Sequence, residues 1–200
     1  MNTPNLELMR SARTSLSGKW GTAVLVFFLY LVVIIIAQTI PVLGQVAMLI
    51  ISGPFALGLA MIALTISKED EPKLEQLFAG FSHFVTAFVT NLLTTVFTLL
   101  WLLLLIIPGI IAALSYSMTY YIIAEDPSIS AMDAIDKSKK MMDGYKWKYF
   151  KLCLRFVPWV LLCVLTLGIG FLWLFPWMQV TSAKFYEEVK ANYQGQQIAN

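Results

Sequence analysis

The sequence predicts an all-α, polytopic membrane bundle: six transmembrane helices, paired as three hairpins in an internal threefold repeat, with short interfacial amphipathic helices on the cytoplasmic side. Three observations predict it. First, the 14 Lys and Arg and the 12 Asp and Glu residues all fall in four short stretches, and the blocks Trp20–Ser67, Gln76–Ala124 and Phe156–Ala183 carry none. A hydrocarbon core about 30 Å thick needs roughly 20 apolar residues per helix, so the first two blocks each hold two spans and a turn. Second, 58% of the residues are hydrophobic, 13% are charged and the mean hydropathy is +0.74; a soluble domain is about 25% charged. Third, a set of landmarks recurs along the chain at intervals of one hairpin.

The first apolar run begins at Trp20. It exceeds the roughly 7–15 residues of a signal-peptide core, and no A-x-A pattern follows it, so a retained span is expected. Gly and Pro clusters break each block. Pro41 to Gly44 separates spans near 20–40 and 45–66. Pro108-Gly109 separates 84–107 from 109–124. Gly168 and Gly170 separate 147–167 from 171–187. The alternative for the last block is one long tilted helix over Phe156–Ala183, which places the C-terminus outside. These three turns are uncharged, whereas every Lys and Arg lies in 1–19, 68–75, 125–155 or 184–190. Six spans put those four regions on one side. The positive-inside rule makes that side the cytoplasm, with both termini there. Arg155 then lies inside the inner boundary of the hydrocarbon and has to snorkel outward.

The repeat expectation divides the single membrane domain, 1–200, into units of about 1–67, 68–124 and 125–200. Inner glycines Gly18, Gly80 and Gly144 precede aromatic residues, and outer-turn glycines Gly44, Gly109 and Gly170 follow them after 26, 29 and 26 residues. Acidic residues follow each second span: Glu69-Asp70-Glu71, Glu125-Asp126 and Glu187-Glu188. A short amphipathic segment stands before each inner glycine and is expected to lie in the interface plane. Its apolar residues are Leu6, Met9, Leu16 and Trp20 in the first unit, Leu74, Leu77 and Phe78 in the second, and Ile129, Met132 and Ile135 in the third. In the third, Ser130 and Asp133 fit a capping box, Gly144 fits a helix stop, and Asp133–Lys137 and Asp136–Lys140 are i,i+4 pairs.

The segments IPGIIAALSYSMTYYIIAEDP (107–127), GYKWKYF (144–150) and TLGIGFLWLFPWMQ (166–179), with LFAGFSHF (77–84), are similar to the bacterial membrane family known as domain of unknown function 975. That family resembles, more distantly, the membrane domain of some glycerophosphodiester phosphodiesterases. The resemblance implies a six-span protein of the bacterial plasma membrane and carries no catalytic residues with it.

Chemistry is sparse. No ionisable residue stands in mid-membrane, where coupled transporters place them. His83 is the only histidine and sits at a span entry, as an interfacial polar residue or a proton handler. Cys153 and Cys163, ten residues apart on one helix, are about 15 Å apart and too far for a disulfide. No metal-ligand spacing, Walker pattern or nucleophile–base pair is present, so no cofactor, no metal and no enzyme activity is expected. Ser115, Ser117 and Thr119, with Tyr116, Tyr120 and Tyr121, line one span, either for hydrogen bonds between helices or facing a cavity. Asn91, Gln38, Gln45 and Gln179 are read the same way. Pro54 and Pro176 interrupt spans, as hinges or as tolerated prolines.

The candidate surface is Lys137, Lys139, Lys140, Lys146, Trp147, Lys148, Lys151 and Arg155. Such a cluster is an orientation signal, or a site for anionic lipid headgroups at about 1 kcal/mol per charge. Its aromatic neighbours serve as interface anchors, which argues against nucleic acid as a partner. The expected function is non-enzymatic: binding anionic membrane lipid, or scaffolding a protein partner, at the inner leaflet. The alternative is a transporter or permease subunit, because 128–150 loosely resembles a cytoplasmic coupling helix. A pocket through the midplane favours the transporter; a closed bundle with a basic groove at the inner face favours the lipid module.

Overall fold

The computed structural model describes residues 3–40 and 43–199, and every regular element among them is helical. Chain order gives α1 (Asn5–Ser15), α2 (Trp20–Gln38), α3 (Leu43–Ser67), α4 (Gln76–Ala79) and a 3-10 turn over Gly80–His83. Then follow α5 (Phe84–Leu104), α6 (Ile106–Tyr116), α7 (Thr119–Glu125), α8 (Ala131–Met141), α9 (Lys146–Leu165) and α10 (Phe171–Ala199). Among the described residues, four stretches are long and apolar enough to cross a membrane: Trp20–Gln38, Gly44–Ser67, Gln76–Leu103 and Ile106–Glu125. Helices α9 and α10 have the length, but Lys146, Lys148, Lys151 and Arg155 load the start of one and Lys184, Glu187, Glu188 and Lys190 the inner part of the other.

Helix α3 is the hub, packed by α2, α4, α5, α7 and α10. Its small residues permit this. A Cβ on Gly58 would collide with the backbone oxygen of Leu77, one on Gly53 with that of Ala87, and one on Gly80 with that of Pro54. Close backbone approach at small residues is how membrane helices pack when lipid offers no hydrophobic drive. Pro54 sits inside α3, which runs on unbroken in register with this contact.

The second and third predicted turns are present, with shifts. Of the first, Pro41 and Val42 lie outside the described residues and Gly44 stands inside α3. The second turn falls at Leu105, the one extended residue between α5 and α6 (φ −162°, ψ 140°). Pro108 is instead in the first turn of α6, where its missing N–H costs nothing. Leu167 (φ 53°) and Gly168 (φ 90°) reverse the chain between α9 and α10.

The three amphipathic segments differ from expectation in one respect: each docks on the bundle. Thr3 N–H donates to Glu188 Oε1 (2.7 Å), and Trp177 Nε1 donates to the Met9 carbonyl (2.8 Å), so α1 climbs along α10. Its buried residues are Leu8, Met9, Ala12 and Ser15, with Leu16 beyond its end, while Leu6 is exposed. In the second unit, Gln76–His83 climbs along α3 from Thr65 to Pro54 and forms the inner part of a membrane-length stretch; Leu77 is buried, Leu74 and Phe78 are not. In the third, α8 buries Ala131, Ala134, Ile135, Ser138 and Met141, and leaves Met132 exposed.

Ser138 explains where α8 sits. The span expected at 109–124 breaks at Ser117–Met118, between α6 and α7. The Ser138 hydroxyl donates to the Ser115 carbonyl (2.7 Å) and accepts from the Met118 N–H (3.3 Å), replacing helical bonds that the break removes. The Ser130 cap is present, accepting the Asp133 N–H at 3.2 Å, and Gly144 (φ 77°) ends the segment. Asp136 pairs with Lys139 at 3.9 Å rather than with Lys140.

Candidate functional site

The basic cluster at 137–155 divides over four surfaces. Lys148 turns inward. Its Nζ meets both carboxylate oxygens of Glu188 at 2.8 Å, and the two side chains are only 16% and 10% exposed. This pair ties α9 to α10. Lys137, on α8, lines an inner cavity whose other walls are α3, α4, α7 and α10. Lys139 and Lys140 are exposed on α8, and Lys146 is half-buried at the start of α9.

Trp147, Lys151 and Arg155 form the remaining surface. Steps of four residues put them on one face of α9, and all three are exposed. The Lys151 ammonium sits 5.5 Å above the Trp147 ring, a cation–π contact. Trp147 also stacks on Phe150 at 5.3 Å. The same face continues outward through Leu154, Leu161, Leu162 and Leu165, the last 78% exposed. Two cations therefore stand at the inner end of an unpartnered apolar stripe.

The inner cavity holds about 810 Å³. Glu125 is its hub: Oε1 accepts from Lys68 at 2.9 Å, while Oε2 accepts from Tyr186 at 2.9 Å and from Lys190. One carboxylate thus joins the end of α3, the end of α7 and α10. Beside it, Asp126 Oδ1 accepts from the hydroxyl and N–H of Ser128, and these bonds hold its carboxyl below the usual range. Cations and carboxylates balance closely here, so the cavity is polar rather than basic. Ser67 joins the network, donating to Glu187 Oε1 (2.9 Å) while its carbonyl accepts from Lys184 (3.0 Å). The sequence singled out none of these acids as a site, although the acidic residues after each second span were its third repeat landmark.

Two further cavities lie among the apolar helices. One, about 510 Å³, is lined by Tyr30, Ser117, Tyr120, Tyr121, Tyr149, Gln179 and Ser182 together with apolar residues, and by no charged group. Tyr121 donates to Gln179 Oε1 (3.0 Å) and Tyr120 to Asn91 Oδ1 (3.1 Å), while Asn91 Nδ2 donates to Ser52 (2.9 Å). Tyr149 and Ser182 are 3.2 Å apart. Both readings of the polar span therefore apply: these groups bond across helices, and some line a cavity. Ser115, Ser117 and Thr119 donate instead to carbonyls three or four residues earlier in the chain, Thr119 across the α6–α7 break, and Gln38 and Gln45 are exposed at the charge-free end. The other cavity, about 680 Å³, is a groove beside the third hairpin walled by tryptophans.

Among the described residues, no group of three or more His, Cys, Asp or Glu is placed to hold a metal ion. No curated protein and no solved structure matches the chain. A family model described as a protein of unknown function (DUF975) matches residues 1–115 and 100–193, nearly the whole chain, and the chain therefore belongs to that family.

Proposed function

We propose that this is a non-enzymatic, multi-pass protein of the bacterial plasma membrane that binds anionic lipid at the inner leaflet. The observation that carries the reading is the exposed face of α9. Lys151 and Arg155 stand one and two turns beyond Trp147, on a face that continues as bare Leu. A cation at the edge of hydrocarbon is costly unless it reaches a phosphate, and long basic side chains do reach one by snorkelling. Lys148, by contrast, is spoken for by Glu188. The test is lipid retention in nanodiscs containing phosphatidylglycerol. Lys151→Gln with Arg155→Gln should strip retained anionic lipid, whereas Lys139→Gln with Lys140→Gln should change it less. Equal retention by wild type and the α9 double variant would remove the reading.

The accompanying topology is six membrane helices, both termini cytoplasmic, as three repeated hairpins. In its support, α9 at 20 residues is about 30 Å long. Its outer half and the following turn are apolar and exposed, as lipid-facing surface is. Gly18 and Gly144 share a left-handed conformation (φ 80° and 77°) just before α2 and α9, which supports equivalence of the first and third units. Cysteine labelling on a background without Cys153 and Cys163 checks it. A cysteine at Thr39 should react from outside and one at Gln196 only from inside.

A second reading, a permease subunit with α8 as the coupling helix, is favoured by the uncharged 510 Å³ cavity between the spans. A cysteine at Ser117 distinguishes the two. Reaction with a water-soluble maleimide supports a solute path; protection supports the lipid module.

A further inference from the structure

The tryptophan-walled groove is the least explained feature of the molecule. Four of the six tryptophans of the chain line it: Trp20, Trp159, Trp173 and Trp177. Interface anchoring accounts for Trp20 and Trp173, which stand near helix ends. It does not account for Trp159 and Trp177, each six residues, or about 9 Å, inside the outer ends of α9 and α10. These two rings meet edge-on at 5.4 Å. Trp177 is fixed further by its bond to the Met9 carbonyl (2.8 Å) and by Phe156, 5.2 Å away. That indole N–H is satisfied, so the ring presents a rigid apolar wall.

One end of the groove is charged. Arg13, exposed in the last turn of α1, lines it. Among the described residues no carboxylate lies within ion-pairing distance of Arg13. The opposite end, at Thr166 and Gly170, is the uncharged outer turn. Cationic inner end, apolar length and an opening among lipid-exposed residues match the polarity of an inner-leaflet phospholipid. The planar guanidinium fork fits phosphate oxygens bidentately.

We infer that this groove seats one anionic phospholipid, its phosphate at Arg13 and an acyl chain along Trp159, Trp173 and Trp177. The inference rests on the lipid reading above and gives that reading a second, structured site that adjoins the exposed face of α9 at Leu162. At about 680 Å³ the groove is within the roughly 300–1,000 Å³ of ordinary ligand sites.

The test uses the tryptophans as reporters. Trp101→Phe and Trp147→Phe, both at exposed positions, leave only the four groove indoles. The full chain is placed in phosphatidylcholine nanodiscs with increasing fractions of phosphatidylglycerol or phosphatidylcholine brominated in the acyl chains. Brominated phosphatidylglycerol should quench with about a fivefold preference, the ratio that corresponds to roughly 1 kcal/mol for one cation at an anionic headgroup. Arg13→Gln should abolish that preference while leaving thermal stability unchanged, and Lys151→Gln should leave it in place. Equal quenching by the two lipids overturns the groove. If Arg13→Gln has no effect while Lys151→Gln with Arg155→Gln still strips anionic lipid, the groove assignment falls and the broader lipid reading stands. If neither shows a preference, both fall.

Discussion

The two ends of the bundle, the charged one called inner and the charge-free one called outer, are held by different forces. At the inner end Glu125 joins Lys68, Lys190 and Tyr186, Glu188 joins Lys148 and the Thr3 N–H, and Ser67 joins Glu187 and Lys184. Among the described residues every ion pair between elements lies there. At the outer end Ile35, Ile36, Leu103, Ile106, Ile107 and Leu167 are exposed, and no ion pair joins the helices there among the described residues. Lipid tails are as apolar as these side chains, so burying them gains little. Specific docking between the helices is thus concentrated at the charged end, where polar contacts are selective. The glycine contacts of α3 supply fit between the two ends.

That contrast sets a scale of expected effects. The largest belongs to Glu188→Ala, which strands a mostly buried Lys148 and releases Thr3; a loss of about 3 kcal/mol is expected in denaturant titration of detergent-solubilised protein. Replacing both partners, as Lys148→Met with Glu188→Met, should recover most of it, because the cost lies in the unpaired charge. No recovery would show that the pair acts through other contacts. Next comes Gly58→Ala, where the new methyl meets the Leu77 backbone oxygen; about 2 kcal/mol is expected, since backbone on both sides leaves no cheap relaxation. A neutral Gly58→Ala would break the view that α3 is fitted to Gln76–His83 by contact. Tyr121→Phe removes one hydrogen bond to Gln179 in mid-bundle and should cost about 1 kcal/mol. Smallest is Leu103→Ala at the outer end, 87% exposed, for which a change below about 0.5 kcal/mol is expected in the same titration. An outer-end effect as large as that of Glu188→Ala would overturn the comparison itself.

The same contrast appears within the basic cluster. Lys148 and Lys151 are three residues apart and equivalent by composition, yet one is locked to Glu188 and the other rests over Trp147 facing outward. A count of seven cations between Lys137 and Arg155 therefore overstates the available surface. Their helical register was readable, but their partners were not, because Glu188 is forty residues away in the chain.

The sequence by itself determined the helical class, apolar stretches of membrane length (four among the described residues, where six spans were expected), the turns near Leu105 and Gly168, the Ser130 cap and the Gly144 stop. These depend on hydropathy over about twenty residues and on local backbone chemistry, both of which a linear chain records. Only the tertiary structure decided which face of each amphipathic segment is buried. Met132, on the expected apolar face with Ile129 and Ile135, is exposed, whereas Ser138, a polar residue, is buried because it mends the break at Ser117–Met118. Tertiary packing also decided that Gln76–His83 runs along α3, that Glu125 gathers three helices, and that four tryptophans from three elements wall one groove. Such facts depend on contacts between residues far apart in sequence, and a pattern of spacing carries no information about which distant backbone will meet a given side chain.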